Sequence, residues 1–211
     1  MNRNFSEIYS SSINNPEEFW KKISDDMFWF KKPTKILNQS NPPFYKWYED
    51  GVTNTCYNAL DVHIDQGRSN RAALIYDSPV TGNKNIFTYK ELRDKVSKFA
   101  GALQNQGISK GDRVAIYMPM IPEAVIAMLA CGRIGAVHSV VFGGFASNEL
   151  ASRIDDSKAK VLITASCGFE PGRTVEYKPL VDEALKLASH KIDKLILFQR
   201  QGHEVILNAP K

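Results

Sequence analysis

The sequence predicts an α/β fold, in which a mostly parallel β-sheet carries helices on both of its faces. From about residue 71 onward, apolar runs alternate with amphipathic segments of helical length, in the order strand, helix, strand, helix, strand, helix, strand. The run 114–118 is apolar throughout, which is typical of a strand buried on both faces of a parallel sheet. Hydrophobic residues fill 43% of the 211 positions, enough to build such a core.

A hairpin and a capped helix are predicted at the start of this alternation. Residues 72–76 and 86–88 have strand composition, and the turn residues between them indicate an antiparallel hairpin. Thr88 and Glu91 then have the spacing of a capping box at the start of a helix, and Gly107 favours a left-handed stop at its end. The apolar residues predicted for one face of this helix are Leu92, Val96, Phe99 and Leu103.

The remaining elements follow from the same periodicities. We predict strands over 114–118, 136–142, 159–164 and 194–198. We predict helices over 122–134, from a capping Ser147 onward, and over 180–188 with Pro179 in the first turn. Ligands of such sheets gather at the loops after the strands, which here are the loops around Pro119, around Gly143 and Gly144, and over 167–173.

Residues 1–60 differ in composition from the rest, being rich in Asn, Ser, Pro and aromatic residues. Pro16 favours the first turn of a short helix. We predict that 1–60 form an extension that wraps on the domain following it, and that 61–211 form the first part of the α/β domain, which is incomplete here.

Composition and charge argue against several classes of function. The net charge is +4, from 27 Lys and Arg against 23 Asp and Glu, and no long basic run points to nucleic acid. Three widely spaced cysteines and four isolated histidines make neither a zinc motif nor a disulfide framework. The most apolar stretch, 114–131, is interrupted by two prolines and a glutamate, so no membrane span is expected. The first residues do not resemble a signal peptide, and we expect a cytoplasmic location.

Two segments at the predicted loops carry candidate binding residues. Gly143 and Gly144 directly follow a strand, where glycines permit positive φ and close approach of the backbone to a ligand, although a tight turn without a ligand is the favoured interpretation from these residues alone. Arg173 stands beside a Pro-Gly turn and has the chemistry to hold a phosphate through a forked contact. An ion pair with Glu170 or Glu176 is the alternative role for this arginine.

The motifs along the chain resemble those of adenylate-forming enzymes. Residues 87–92 resemble the first core motif of that superfamily, and 128–138, followed by 139–145, resemble the second. Residues 47–51 and 53–58 resemble the N-terminal region of short-chain acyl-CoA synthetases. Within that group, 170–179 are more similar to propionyl-CoA synthetases than to acetyl-CoA synthetases.

This resemblance implies a two-step reaction, in which a carboxylate and ATP, with Mg²⁺, form an acyl-adenylate that the thiol of coenzyme A then attacks. It also implies that the 170–173 segment contacts coenzyme A, with Arg173 near the 3′-phosphate, and that the paired glycines line the pantetheine side. Acetyl-CoA synthetases tend to carry an arginine where Glu170 stands. The coenzyme-binding residues implied in this way are Gly143, Gly144, Glu170, Pro171, Gly172 and Arg173.

The sequence contains no Ser/Thr/Gly-rich phosphate loop, and the adenylation lysine and acyl-pocket residues of the family would lie beyond Lys211. We therefore expect the chain alone to be catalytically inactive, because phosphoryl chemistry depends on electrostatic stabilisation that such residues supply. Three hypotheses remain: the first part of a propionate–CoA ligase, or alternatively of an acetate–CoA ligase; a non-catalytic coenzyme A-binding module; and an interaction subunit that associates with a separately encoded remainder of the enzyme.

Overall fold

The computed structural model describes residues 4–207. The contacts between residues divide the chain into two compact units, Met1–Asn58 and Ala59–Lys211. None of the helices in the described part of the chain has the length and apolar character that a membrane-spanning segment needs.

The first unit consists of short elements and aromatic contacts. Its elements are α1 (Phe5–Asn14), α2 (Pro16–Ser24), β1 (Leu37–Asn38) and β2 (Lys46–Trp47), with β1 and β2 antiparallel. The predicted role of Pro16 is confirmed, since it is the first residue of α2. The sequence interpretation missed α1, whose start is stabilised by Asn4, because the side chain of Asn4 accepts a hydrogen bond from the backbone N–H of Glu7.

The second unit contains a longer run of helices and strands. Its helices are α3 (Val62–Asp65), which follows a π-helical turn at Tyr57–Asp61, then α4 (Tyr89–Asn105), α5 (Pro122–Ile134), α6 (Ser147–Ser157) and α7 (Tyr177–Leu187). Its strands are β3 (Ala72–Asp77), β4 (Lys84–Thr88), β5 (Arg113–Met118), β6 (Val137–Phe142), β7 (Val161–Ala165), β8 (Cys167–Glu170), β9 (Arg173–Glu176) and β10 (Lys194–Phe198).

The predicted parallel sheet is confirmed. Strands β10, β7, β5 and β6 lie side by side in that order, and every neighbouring pair is parallel. Helix α5 contacts β5 and β6, and α4 packs on α5, whereas α6 and α7 pack together against the sheet. Strand β5 is buried from Val114 to Met118, because successive side chains point to opposite faces and helices cover both.

One hydrophobic core lies between the sheet and the pair α6 and α7. Ala115 and Tyr117 of β5 contribute to it from the sheet, while Leu150 and Ile154 of α6 and Val181 of α7 contribute from the helices. All five side chains are fully buried. Their packing fixes the position of α7, and with it the position of Tyr177 at the start of that helix.

The capping box at the start of α4 is confirmed. The Thr88 hydroxyl accepts a hydrogen bond from the N–H of Glu91 at 3.2 Å, and the backbone N–H of Thr88 donates to the Glu91 carboxylate at 2.9 Å. Gly107 has φ +86°, as the predicted left-handed stop requires. The buried face differs from the prediction at one position, because Ala100 is buried and Phe99 is only half-buried.

Three predicted features are wrong: the cap of one helix, the start of another, and a loop. Ser147 is the first residue of α6 and does not cap it, since Ala146 occupies the cap position. Helix α7 begins at Tyr177, three residues earlier than predicted, so that Pro179 is its third residue and needs no N–H partner there. The segment 167–173 is not a loop: β8 and β9 pair antiparallel in a hairpin, which satisfies backbone groups that a loop would leave exposed.

Asp112 connects the approach to β5 with the start of β7. Its carboxylate accepts hydrogen bonds from the N–H and hydroxyl of Ser109, at 2.8 and 2.9 Å, and from the Lys160 ammonium at 3.2 Å. The same ammonium donates to the carbonyl of Gly107 at 2.7 Å. The hydrogen bonds from Ser109, followed by the Lys160 charge, lower the pKa of Asp112 below its ordinary value of 3.8.

We predict that Thr88→Ala lowers the free energy of unfolding by about 1 kcal/mol, because the first turn of α4 loses its side-chain acceptor. Chemical denaturation of the chain and the variant measures this loss. Thr81→Ala is the control, since Thr81 lies in the turn before β4 and caps no helix. Equal losses for the two variants would contradict a capping role for Thr88.

We predict that Asp112→Asn destabilises the chain at neutral pH and has less effect in acid. Because the folded pKa of Asp112 is depressed, its contribution is present above the ordinary value of 3.8 and is lost as the pH falls through the lower folded value. Melting temperatures measured from pH 7 down to pH 3 should therefore converge for the chain and the variant. A gap that stays constant over this range would show that protonation of Asp112 does not contribute.

Candidate functional site

The candidate site lies at the end of the sheet formed by the loops and the hairpin that follow its strands. Strands β5, β6, β7 and β10 are parallel, so their carboxyl ends lie at one edge. The turn of Gly143 and Gly144 follows β6 directly, and the hairpin of β8 and β9 follows β7. Two of the three segments predicted to gather ligands, those after β6 and after β7, therefore lie at the same edge of the sheet.

Two adjoining clefts open at this end of the second unit. The first, which we call the hairpin cleft, has a volume of about 740 Å³ and is lined in part by Glu170, Gly172 and Arg173. The second, which we call the glycine cleft, has a volume of about 430 Å³ and is lined in part by Gly143 and Gly144. The residues common to both clefts are Tyr76, Thr81, Ile121, Phe169, Glu170 and Arg200.

Five of the six candidate binding residues thus line the two clefts. Pro171 lies at the tip of the hairpin, between β8 and β9, and does not line either cleft. The third predicted loop also contributes, since Pro119 lines the glycine cleft. The structure therefore brings together the three predicted segments, which extend over 54 positions from Pro119 to Arg173.

Arg173 is held in an ion pair across the hairpin turn. Its Nη2 lies 2.6 Å and its Nε lies 2.7 Å from Oε2 of Glu170. The arginine side chain is 71% exposed and the glutamate side chain 44% exposed. The alternative role foreseen for Arg173, an ion pair with Glu170, is therefore what the structure shows, and the arginine charge is compensated at the mouth of the hairpin cleft.

Positions 143 and 144 need glycine because neighbouring side chains approach the backbone closely there, and not because the backbone adopts an unusual conformation. Neither glycine is among the residues of 4–207 with positive φ. A Cβ atom on Gly143 would collide with the hydroxyl of Tyr177, and one on Gly144 would come within 2.7 Å of the Phe142 ring. The turn therefore needs glycines to pack against its own protein neighbours, in agreement with the interpretation of a tight turn.

Tyr177 is the buried group around which these loops pack. Its ring stacks on that of Tyr117 with centroids 5.0 Å apart, and a Cβ on Gly168 of β8 would lie 3.1 Å from it. Burial, reinforced by Tyr117 and Glu170, raises the pKa of Tyr177 to about 12, so its hydroxyl stays neutral. The hydroxyl of Tyr117 donates a hydrogen bond to the carbonyl of Phe145 at 2.7 Å and thereby ties the turn that contains Gly143 and Gly144 to β5.

Sequence reasoning missed this tyrosine pair and also missed Arg200. The signal for Tyr117 was available, because a tyrosine in a strand buried on both faces needs a partner for its hydroxyl. Arg200 follows β10, and its guanidinium lies over the Phe169 ring at 4.2 Å from the centroid. No local pattern connects Arg200 with a residue 31 positions away, so only the fold reveals it.

Other titratable groups have structural roles. The Asp155 carboxylate accepts hydrogen bonds from the N–H groups of His190 and Ser189, which lower its pKa. Burial raises the pKa of the Cys131 thiol to about 11, which makes it a poor nucleophile. Within residues 4–207, no group of three His, Cys, Asp or Glu side chains is placed to hold a metal ion.

Comparison with known proteins gives two family matches that together cover most of the chain. Residues 61–207 match the model of the AMP-binding enzyme family, and residues 5–59 match the model of the acetyl-coenzyme A synthetase N-terminus. Both matches fall in segments that carry the motifs and the clefts described above.

Individual relatives agree with these family matches. The chain is 54% identical over 202 residues to acyl-CoA synthetase short-chain family member 3, mitochondrial, of Homo sapiens, covering 96% of this chain and 29% of the relative. It is 47% identical over 199 residues to acetyl-coenzyme A synthetase of Streptomyces coelicolor, covering 94% of this chain and 30% of the relative. The chain thus spans less than a third of the length of these relatives. Since the AMP-binding model alone matches well over half of the residues, the chain belongs to the AMP-binding enzyme family, among the short-chain acyl-CoA and acetyl-CoA synthetases.

Proposed function

We propose that this chain forms the coenzyme A-facing part of an AMP-forming acid–thiol ligase, with propionate as the carboxylate. The observation that carries the proposal is the convergence of Gly143, Gly144, Glu170, Gly172 and Arg173 on two adjoining clefts. In such a ligase, ATP with Mg²⁺ and the carboxylate form an acyl-adenylate and pyrophosphate. The coenzyme thiol then attacks the acyl carbon, so that acyl-CoA forms and AMP leaves.

The chain's own residues fit the binding of a long, anionic thiol substrate. The glycine cleft is lined mainly by apolar groups and backbone, which suits the neutral pantetheine arm. The hairpin cleft carries arginines at its wall, which suits the phosphate-bearing end. A phosphate that approaches Arg173 competes with the Glu170 carboxylate for the same guanidinium, so Glu170 lowers the affinity of the cleft for a phosphate.

Propionate is favoured over acetate by one sequence observation, the similarity of residues 170–179 to propionyl-CoA synthetases. An acetate–CoA ligase is the alternative, which the name of the Streptomyces coelicolor relative, acetyl-coenzyme A synthetase, supports.

An interaction subunit is a second candidate, favoured by the edge of the parallel sheet. Strand β6 pairs with β5 on one side, and Val137, Val140 and Phe142 are 53%, 54% and 67% exposed. An apolar edge of this kind is suited to pairing with a strand of another polypeptide that supplies the adenylation residues. Co-purification of the chain with the product of an adjacent reading frame tests this candidate, and failure of the two to associate would remove it.

We predict that Glu170→Gln raises the affinity for coenzyme A about two- to fivefold, because it releases Arg173 from an exposed ion pair worth up to about 1 kcal/mol. Arg173→Ala should weaken binding by a similar factor. Calorimetric titration with coenzyme A measures both changes. Glu183→Gln is the matched control, since Glu183 forms an exposed ion pair with Lys186 at the same i,i+3 spacing but does not line either cleft. Unchanged affinity in both hairpin variants would remove the hairpin from the site.

We predict that the 211-residue chain releases pyrophosphate from ATP and propionate only at the background rate, because its sequence carries no phosphate loop or adenylation lysine of the family. In a ligase that combines this chain with those residues, propionate should give faster release than acetate at equal concentration. A coupled pyrophosphate assay measures both. Turnover by the chain alone would refute its inactivity, and faster release with acetate would reverse the substrate assignment.

A further inference from the structure

The hairpin cleft contains two arginines whose charges are differently compensated. Arg173 is paired with Glu170 at 2.6 Å. Arg200 belongs to none of the ion pairs found in residues 4–207. It lines both the hairpin cleft and the glycine cleft, so its positive charge stands where the two clefts join.

Protein contacts hold Arg200 in place before any ligand arrives. Its backbone N–H donates to the hydroxyl of Ser166 at 2.9 Å, which ties the residue to the segment between β7 and β8. Its guanidinium lies over the Phe169 ring at 4.2 Å, and Nη1 is 3.4 Å from the carbonyl of Cys167. The ring of His203 contacts Phe169 edge-on, with centroids 4.9 Å apart, and supports the same stack.

A stacked arginine is well prepared to bind an anion. The Phe169 ring lies against the guanidinium, while the N–H groups other than the one directed at the Cys167 carbonyl stay available for a forked, charge-assisted contact. The walls around it offer the aromatic rings of Phe87 and Phe169 and the side chains of Asn83 and Asn85, which suit a nucleoside. The ligand class that fits is therefore a phosphorylated nucleoside.

We propose that Arg200 binds a phosphate group at the nucleotide end of coenzyme A and is the main anion-binding residue of the site, with Arg173 in a weaker role. This inference rests on the proposed function, because it takes coenzyme A to be the ligand of the two clefts. It goes beyond the resemblance to known synthetases, which implicates the segment 170–173.

The test is an NMR titration of the ¹⁵N-labelled chain with coenzyme A and with pantetheine, which lacks the phosphates and the nucleoside. We expect Arg200→Gln to weaken coenzyme A binding roughly ten- to hundredfold, the range for a lost hydrogen bond to a charged group, and to leave pantetheine binding unchanged. Arg200→Lys, which keeps the charge but loses the fork, should recover part of the affinity. Arg153→Gln is the control, because it removes one exposed positive charge from α6, away from the clefts.

The outcomes separate this inference from the proposed function. If neither ligand shifts the amides around Gly143 in the unaltered chain, the proposed function and the inference both fall. If coenzyme A binds the chain and Arg200→Gln equally well, the inference alone is overturned. Equal losses for coenzyme A and pantetheine, with a lowered melting temperature and no recovery in Arg200→Lys, would assign Arg200 a structural role only and would also overturn it.

Discussion

The packing of Tyr177 against the glycines of two different segments is the constraint on which the candidate site depends. Its ring stacks on Tyr117 in the central strand, its hydroxyl occupies the space that a side chain at position 143 would need, and Gly168 of β8 lies against the same ring. A bulkier residue at either glycine would push the turn after β6 or the hairpin after β7 away from the sheet. The two clefts keep their shape because both segments rest on one buried side chain.

The electrostatics of the site follow from the hairpin. Because β8 and β9 are antiparallel, Glu170 lies opposite Arg173, and the two charges neutralise each other at the tip. The same strand β8 presents Phe169, whose ring carries the guanidinium of Arg200. The hairpin therefore carries Arg173, whose charge is compensated by Glu170, at its exposed tip. It also supports Arg200, which forms no ion pair within residues 4–207, through Phe169. An anionic ligand is accordingly attracted more strongly by Arg200 than by Arg173.

Membership of the AMP-binding enzyme family explains why such an arrangement occurs at this edge. In parallel sheets the carboxyl ends of the strands present loops, and loops can vary while the strands keep their buried, apolar sequence. Here β5 is such a support, buried between helices on both faces. Relatives that share about half of the residues extend well beyond the span of this chain.

The sequence by itself determined the strand and helix order, the capping box of Thr88 and Glu91 and the parallel sheet, because these features depend on periodicity and on contacts between near neighbours. It also pointed to Gly143, Gly144 and Arg173. Only the tertiary structure decided that Gly143 makes room for Tyr177, that the segment after β7 is a hairpin, and that Arg200 lines both clefts. The contacts of Gly143 with Tyr177 and of Phe169 with Arg200 join residues more than 30 positions apart, and a local sequence pattern does not indicate which distant side chains will meet.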